Sequence, residues 1–518
     1  MLSLITFLPL LGALVLLFVP GDRIGLLRKV ALATTLAVAA LGLTVWFQFD
    51  GTRAAAQMLV EKSWFTIPGS TIDVGYTLGI DGISLLMVAL TALLMPIVIL
   101  STYDHIGKRV KEFMVWMLVM ETGMLGVFLS LDLVLFYVFW EVSLIPLYFI
   151  VGVWGGERRL YATIKFFLYT FGGSLVMLVG VLYLVYNLGT SNVPAIVQQV
   201  PSLDFDTQTL LFFAFALAFA IKVPVLPFHT WLADAHTEAP TSGSVLLAGV
   251  LLKMGTYGLL RFGIEIFPAV SVHYAWLFMA LGAIGIVYGA FLAMAQSDLK
   301  RLIACSSVSH LGFVVLGLFA LNESGLRGSV LQMVNHGIST GLLFLLVGMI
   351  YERRHTRQID QFGGLAASMP VFALCFVVAV LSSVGLPGLN GFVGEYMILL
   401  GAFLADPLWG VIGVSGVVFG AVYLLSATRR VLFGPITHPE NRHLGDATGR
   451  ELAMLVPMLV FTVWIGLQPS AFLGPVTASL DALQLRIDGA KDARTAQAER
   501  TPAIRGERAA LVPAGGPQ

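Results

Sequence analysis

Long apolar stretches separated by short polar segments run through most of this sequence. Each stretch is close to the roughly 20 residues that a helix needs to cross about 30 Å of hydrocarbon. A helix satisfies its own backbone polar groups in lipid, and the stretches lack the alternation of a barrel strand. The pattern therefore predicts an all-α polytopic membrane protein with 14 transmembrane helices, at about 2–20, 28–48, 81–102, 112–129, 131–152, 163–187, 208–228, 241–262, 274–294, 300–320, 327–350, 370–404, 410–430 and 452–470.

Two of the predicted spans contain helix-breaking residues within their apolar length. The seventh contains Pro224 and Pro227, and the twelfth contains GLPGLNG at 385–391. Proline removes a backbone donor and clashes with the preceding turn, so each helix should split or kink. Pro224 lies about 112 residues after the start of span 4, and Pro387 about 113 residues after the start of span 9. This spacing predicts two five-helix repeats, spans 4–8 and 9–13, which are inverted because five is an odd number.

The repeats and the change in polarity near the C-terminus divide the chain into five parts. These are spans 1–3 at 1–111, the first repeat at 112–262, the second repeat at 274–430, a loop with span 14 at 431–470, and a polar tail at 471–518. The end of the tail is rich in Ala, Arg, Gly and Pro and has few large apolar residues, so we expect it to be mobile and assign it no function.

Lysine and arginine are distributed unevenly between the two sets of loops. One set holds 17 of them: Arg23, Arg28, Lys29, Lys108, Arg109, Lys111, Arg158, Arg159, Lys300, Arg301, Arg353, Arg354, Arg357, Arg429, Arg430, Arg442 and Arg450. The opposite loops hold Arg53, Lys62, Arg261 and Arg327. By the positive-inside rule the first set is cytoplasmic, which places both termini outside. The N-terminal stretch lacks a charged n-region and a cleavage site, and it is interpreted as a retained span.

Five of the ionisable residues within predicted spans stand out: Glu141, Lys165, Lys222, Lys253 and Glu395. A charge at the bilayer centre costs about 2.5–3.5 kcal/mol on insertion scales, so such residues are rare and usually functional. Acids and bases in several spans of one chain suggest a path for protons or ions. The alternative is a set of static ion pairs that hold the helices in register.

Four of these groups, together with two histidines, are the predicted proton-transfer residues. Glu141 and Lys222 are candidates for a pair that loads and releases a proton, and Lys253 and Glu395 for groups that pass it on and receive it. His310 and His336 suit a relay because histidine titrates near neutral pH, although a lone buried histidine is more often structural. The predicted site is therefore Glu141, Lys222, Lys253, His310, His336 and Glu395.

The remaining polar groups near or within spans have weaker claims to function. Lys165 is expected to extend towards the cytoplasmic interface, and Glu121 and Asp132 are interpreted as exit groups or solvated helix ends. The cluster at 229–240 contains His229, Asp234, His236 and Glu238, but its spacing matches no standard zinc site. It is more consistent with a polar cytoplasmic entrance or a capping loop.

Composition excludes several functions. The chain is 58% hydrophobic and 12% charged with zero net charge, which is too apolar for a soluble protein and gives no basic surface for nucleic acid. It has no GxGxxG after a strand, no GxxxxGK[ST], and only two cysteines, Cys305 and Cys375. We therefore expect no bound NAD, ATP, flavin, metal or redox centre, so any energy source must lie elsewhere.

Several motifs resemble those of the antiporter-like membrane subunits of respiratory complex I. They are WEVSLIP at 140–146, KVPVLPFHTWL at 222–232 (followed here by Ala233), EAPTSGSVLLAG at 238–249, KMGTYG at 253–258 and GLPGLNGFVGE at 385–395. The resemblance covers about residues 75–430. It implies 14 spans, two broken helices and a charged axis through the membrane centre, and it assigns proton translocation to Glu141, Lys222, Lys253 and Glu395.

The resemblance also implies an enzyme context, partners and a location. The chain would be a subunit of a proton-translocating NADH:quinone oxidoreductase in a bacterial-type cell inner membrane or an equivalent energy-transducing membrane. FMN, iron–sulfur clusters and quinone would be held by partner subunits. The partners would be other membrane-arm subunits, including L-like and N-like antiporter paralogues. The alternatives are a sodium/proton antiporter subunit and a structural subunit; related antiporter subunits typically carry lysine where this chain has Glu395.

Overall fold

The computed structural model describes residues 1–69 and 72–510, with side chains described to residue 496. Most of these residues are helical. The α-helices are α1 (Leu2–Phe18), α2 (Ile24–Gln48), α3 (Gly82–His105), α4 (Val110–Leu129), α5 (Leu133–Trp154), α6 (Arg159–Leu188), α7 (Val193–Gln199), α8 (Phe205–Lys222), α9 (Thr230–Glu238), α10 (Thr241–Leu246), α11 (Leu252–Gly258), α12 (Pro268–Met294), α13 (Leu299–Phe319), α14 (Glu323–Arg354), α15 (Leu365–Ser368), α16 (Pro370–Val384), α17 (Asn390–Ala405), α18 (Pro407–Leu432), α19 (Gly449–Leu467) and α20 (Ser470–Ala510).

Two strands and several irregular helical turns complete the fold. The strands β1 (Gln57–Thr66) and β2 (Asp73–Ile80) pair antiparallel between α2 and α3. Turns of π-helix at Leu247–Leu251 and Leu259–Ile264 lie on either side of α11, so that α10 to the second π turn is one continuous helical rod. The polar sequence between the second and third predicted spans had not been predicted to form strands.

Within the described ranges, twelve helices are long and apolar enough to cross a membrane. Three shorter apolar helices, α1, α16 and α17, accompany them. The prediction of a mainly helical membrane protein with many spans is therefore confirmed.

Three helical segments lie at the centre of the molecule. The α10–α11 rod, α13 and α14 are buried along their whole apolar length, and α14 packs against α10, α13 and α17. The outer helices expose large aliphatic side chains, such as Leu168 and Val179 on α6. Apolar side chains facing outward suit helices in contact with lipid, so polar groups on the three central segments are shielded from both water and lipid.

Both predicted helix breaks are present. Helix α8 ends at Lys222 and α9 begins at Thr230, and α16 ends at Val384 before α17 begins at Asn390. In the second break Gly385 and Gly388 have φ of +84° and +94°, a left-handed conformation that favours glycine. The GLPGLNG motif therefore produces the break through its glycines as well as its proline.

Asp132 caps the start of α5 and is not a solvated helix end. Its Oδ1 accepts the N–H groups of Val134 and Leu135, both at 3.0 Å, and its Oδ2 accepts the N–H of Gly75 at 3.0 Å and the Ser191 hydroxyl. The side chain is buried. The interpretation of Asp132 as a solvated helix end is wrong, because the side chain is buried and accepts hydrogen bonds from Gly75 of the β-hairpin and from Ser191 as well as from α5.

The C-terminal segment forms helix α20, so the expectation of a mobile tail was wrong for its described part. The buried residues Phe472, Val476, Leu480, Leu483 and Ile487 recur every three to four positions and form one apolar face. This face packs against α3, α12 and α14. Two ion pairs fasten the helix further: Arg327–Asp481 at 2.9 Å and Arg486–Glu265 at 3.6 Å.

Asp446 caps α16 from a distant loop, and removing this cap should lower stability. Its carboxylate accepts the N–H groups of Val371 and Phe372 at 2.9 and 3.0 Å. Burial raises the pKa of Asp446, but backbone N–H donors and Arg353 together hold that pKa below its ordinary value. A carboxylate with a lowered pKa contributes stability that is present above about pH 4 and is lost as the pH falls through its folded-state value.

We expect Asp446→Ala to lower the free energy of unfolding by about 1 kcal/mol at neutral pH, the usual value of a helix cap. Thermal unfolding of the purified protein in detergent measures this. Asp446→Asn, which keeps one acceptor oxygen, is the control and should lose less. An unchanged melting temperature in Asp446→Ala would show that α16 starts without help from this carboxylate.

Candidate functional site

The first break places Lys222 at the end of a helix inside the protein. Its side chain is 1% exposed, and its Nζ lies 5.1 Å from the centre of the Trp140 ring. The negative end of the α8 dipole also favours a cation at this position. The break itself is stabilised by Trp231, whose Nε1 donates a hydrogen bond to the carbonyl of Ile221 at 2.9 Å. The local sequence therefore produces a buried lysine beside unwound backbone.

Glu141 lies next to Trp140 on α5 and within electrostatic reach of Lys222. No ion pair shorter than 4.0 Å joins the two side chains in the part of the chain that the structure describes. The Glu141 Oε1 is buried and has no hydrogen-bond partner there. The two groups are thus a separated charge pair, and Glu141 also has a side-chain hydrogen bond with Tyr137, one turn earlier on α5.

Lys253 is fully buried in the α10–α11 rod, directly after a π-helical turn. Its Nζ donates to the carbonyl of Ala248, five residues earlier, and lies 2.6 Å from Nδ1 of His336 on α14. A π turn widens the helix and leaves room beside its carbonyls, and such turns are frequent at functional sites. The turn therefore supplies an acceptor for a lysine that forms no ion pair with any described acid.

His336, His310 and Glu395 continue the line of polar groups that begins at Lys253. The rings of His336 and His310 have their centres 5.7 Å apart. His310 Nδ1 lies 3.0 Å from the Oε1 of Glu395, just beyond the second break on α17. All four side chains are less than one-tenth exposed. The central helices thus bring four of the six predicted residues into one buried row.

The six predicted residues form two groups, not one continuous line. Glu141 and Lys222 make up the first, and Lys253, His336, His310 and Glu395 the second. Among the described residues, no hydrogen bond or ion pair joins Lys222 to Lys253, although α8 packs directly on α11. Proton transfer between the groups would need a bridging water or a side-chain movement.

His236 and Lys300 extend the second group towards the basic loops, and neither was among the predicted site residues. His236 is fully buried on α9, stacks on Phe344 at 4.7 Å, and has no hydrogen-bond partner for either ring nitrogen among the described residues. It lies within electrostatic reach of Lys253, His336 and Lys300. In the sequence, His236 is visible only as part of the polar segment 229–240 between two spans.

Lys300 connects this region to an open cavity. Its Nζ donates to the carbonyl of Ala239, and the lysine lines a cavity of about 220 Å³ together with Glu238, Glu352 and Arg357. The cavity lies beside the loops at 106–109 and 155–158, which carry the basic residues Lys108, Arg109 and Arg158. The expectation of a polar entrance at 229–240 thus has a physical counterpart in this cavity.

Two other ionisable groups of the predicted spans, the partly buried Lys165 and the buried Glu121, lie outside the row. Lys165 forms an ion pair with Asp234 at 2.8 Å, and Asp234 also pairs with Arg301 at 3.4 Å. This pairing ties α9 to α6 and α13, and it gives Lys165 a structural partner that the sequence did not indicate. Glu121 on α4 is completely buried, and neither of its carboxylate oxygens has a partner within the described ranges. It is therefore not the solvated helix end that was one of its two interpretations.

Comparison with known proteins identifies the family. The family model for the transmembrane region of NADH:quinone oxidoreductase and Mrp antiporter subunits matches residues 130–420, which include all six predicted site residues. NADH-quinone oxidoreductase subunit M of Rhodobacter capsulatus is 44% identical over 500 residues, covering 93% of this chain and 96% of that protein. The chain belongs to the subunit M family of NADH-quinone oxidoreductase.

A further relative in sequence and a solved structure agree with this assignment. NADH-ubiquinone oxidoreductase chain 4 of Marchantia polymorpha is 40% identical over 485 residues, covering 93% of this chain and 96% of that protein. A chain in the structure of respiratory complex I from Thermus thermophilus with bound NADH has a TM-score of 0.83 and 31% identity, covering 93% of this chain and all of that one. The family predicted from the motifs is confirmed. Both curated relatives are named as oxidoreductase subunits, which favours this prediction over the antiporter alternative.

Proposed function

We propose that this chain moves protons across the membrane as a subunit of NADH-quinone oxidoreductase, using Glu141, Lys222, Lys253, His336, His310 and Glu395. The observation that carries the proposal is the buried row from the Lys253 ammonium through two histidines to the Glu395 carboxylate. Each member can hold or release a proton, and each is shielded from lipid. Groups this close together titrate as a set, so a change in charge at one end of the row alters the proton affinity of the group at the other end.

The separated pair of Glu141 and Lys222 is the proposed control point of the cycle. When the carboxylate moves towards Lys222 it favours the ammonium form, and when it moves away burial favours loss of the proton. Redox chemistry in partner subunits would drive this movement. FMN, iron–sulfur clusters and quinone belong to those partners in the proposal, and the partners include other membrane-arm subunits, among them L-like and N-like antiporter paralogues.

The finer architecture is also part of the proposal. We infer 14 membrane crossings, the twelve long helices together with α1 and the combined pair of α16 and α17. The ranges 112–262 and 274–430 would be inverted repeats, each with one broken helix. The excess of lysine and arginine on one set of loops supports a cytoplasmic position for those loops, and both termini would then lie on the other side of an inner membrane.

The cavity at Lys300 is the proposed point of entry from the cytoplasm. Protons would pass from it through His236 to Lys253 and His336, since His236 lies within electrostatic reach of both. We expect His236→Phe, which keeps the ring stacked on Phe344, to lower NADH-driven proton uptake at least about tenfold because the relay loses a titrating group. Uptake is measured in sealed membrane vesicles. Phe344→Leu, which removes the stack but keeps the imidazole, is the control, and equal losses in the two variants would reduce His236 to a packing role.

Co-purification tests the proposed function as a whole. The chain is tagged, extracted in mild detergent and assayed for bound flavin, iron–sulfur clusters and NADH–quinone reductase activity. Their presence with the tagged chain is the expected result. If the chain purifies without them and its vesicles exchange sodium for protons, an antiporter function replaces the one proposed here.

A further inference from the structure

Glu395 is held by a network of buried amides that the proposed proton path does not use. Gln332 and Asn335 lie one turn apart on α14, and Asn390 is the first residue of α17, five positions before Glu395. All three amides are nearly or completely buried. A side-chain amide does not gain or lose charge near neutral pH, so these groups are not titrating members of the proton path. The hydrogen bonds among the three amides indicate how they act on Glu395 instead.

The network has a fixed direction that starts at a backbone carbonyl. The carbonyl of Asn390 can only accept, so the Asn335 Nδ2 at 2.7 Å must be its donor. The same Nδ2 lies 3.3 Å from the Oε1 of Gln332, which turns the oxygen of that amide towards Asn335. The Gln332 Nε2 is then left facing Glu395, and it donates to Oε1 at 3.2 Å. The orientation of Gln332 therefore follows from its neighbours.

The same residues hold the two helices together across the second break. The Asn390 Nδ2 donates to the backbone carbonyl of Asn335 at 3.3 Å, and its Oδ1 accepts the hydroxyl of Ser382 at the end of α16. Gly394 permits this close approach, because a Cβ there would lie 2.4 Å from the Oε1 of Gln332. The amides are thus locked between three helix segments, and Gln332 cannot easily turn away from Glu395.

We propose that Gln332, oriented by Asn335 and Asn390, is a positioning residue that keeps Glu395 ionised so that it can accept protons from the histidine row. A hydrogen bond donated to a carboxylate favours its charged form. The Nδ1 of His310 lies 3.0 Å from the same Oε1 and is its second polar contact. Because Gln332 has only donors to offer there, it stabilises the receiving state of Glu395. This inference rests on the proposed role of Glu395 as an end point of the path.

Few other titratable groups face Glu395, so the effect of Gln332 can be isolated. His310 of α13 contacts it, and Tyr423 of α18 lies within electrostatic reach. His336 of α14 stands behind His310. Within the described ranges, the structure connects no titratable group of α16 or α19 to this carboxylate.

The test is the protonation of Glu395 in the assembled complex carrying Gln332→Met. This variant keeps the side-chain length, removes the donor, and leaves the bond from Asn335 to Asn390 intact. Infrared difference spectroscopy follows the C=O stretch of the protonated carboxylic acid, which is assigned to Glu395 by its absence in Glu395→Gln. We expect the midpoint of this band to move to higher pH by about one unit, a tenfold gain in proton affinity. An unmoved midpoint overturns the proposal.

Controls separate this effect from general packing and from the proposed function. Ser329→Ala removes a buried hydrogen bond one turn away on α14, to the carbonyl of Val314, and should leave the midpoint unchanged. Gln332→Asn has a shorter amide that cannot reach Glu395, so it should shift the midpoint in the same direction as Gln332→Met. It replaces Gln332→Met in the test if that variant fails to assemble. Normal pumping by Glu395→Gln, with a shifted band in Gln332→Met, would retain the positioning role and remove Glu395 from the path.

Discussion

Lys253→Met is expected to reduce NADH-driven proton pumping by about a hundredfold or more while the complex still assembles. The size follows from the loss of an acid–base group at the start of the histidine row, where its Nζ contacts His336 at 2.6 Å. Assembly should survive because methionine is similar to lysine in shape and replaces a buried ionisable group that pairs with no acid among the described side chains. The measurements are proton uptake by sealed vesicles and the amount of assembled complex in the membrane.

Two further lysine variants decide how Lys253 acts. Lys253→Arg keeps a positive charge but cannot release a proton, so we expect it to be as inactive as Lys253→Met. Lys165→Met removes a lysine that is paired with Asp234 outside the row, and it should pump at close to the normal rate. Normal pumping by Lys253→Arg would mean that position 253 supplies only an electric field and transfers no proton.

The sequence predicted the features of the fold that depend on local chemistry. Two prolines close together, or a proline flanked by glycines, interrupt an apolar stretch more strongly than a single proline such as Pro96 or Pro146, which lies inside a continuous helix. The ends of α8 and α16 could therefore be located without a structure. Spans could be located because lipid imposes one minimum length on every crossing helix. The two half-helices at 370–405 were predicted as one broken span for the same reason.

The segments outside the spans were harder to predict because their structure depends on distant contacts. Helix α20 has an apolar face at Phe472, Val476, Leu480, Leu483 and Ile487, a period of three to four that was present in the sequence. The low overall hydropathy of the tail hid this face. The hydrogen bond from Gly75 of the β-hairpin to the Asp132 carboxylate joins residues 57 positions apart. Neither the hairpin nor the cap can therefore be predicted from its own segment alone.

For the site, the sequence supplied candidates but not their partners. Lys222, Lys253 and Glu395 stand out because a charge within an apolar span is rare. Gln332 and Asn335 do not, since polar uncharged residues occur throughout long helices and carry no special cost until their surroundings are known. His236 was masked by the polar residues around it. The separation of Lys222 from Lys253 into two groups is a property of helix packing that no local motif encodes.

Glu141→Gln and Lys222→Met are each expected to reduce proton pumping at least about tenfold, and the double variant should be no slower than the slower single variant. Residues that act as one unit give losses that do not multiply. Glu141→Gln leaves Lys222 buried beside Trp140 without its counter-charge, which fixes the lysine in one protonation state. Lys222→Met removes the group on which the carboxylate acts. Either change therefore stops the same step.

The cycle of single and double variants is measured as proton uptake per NADH oxidised in assembled complex. The matched control is Glu121→Gln, which removes a fully buried carboxylate from the neighbouring helix α4 and should leave pumping near normal because Glu121 has no ionic partner within the described residues. Losses that multiply in the double variant would show that Glu141 and Lys222 act independently. Losses that do not multiply would place the carboxylate and the lysine in one step of the cycle, as the proposed mechanism requires, even though the two side chains form no direct ion pair within the described residues.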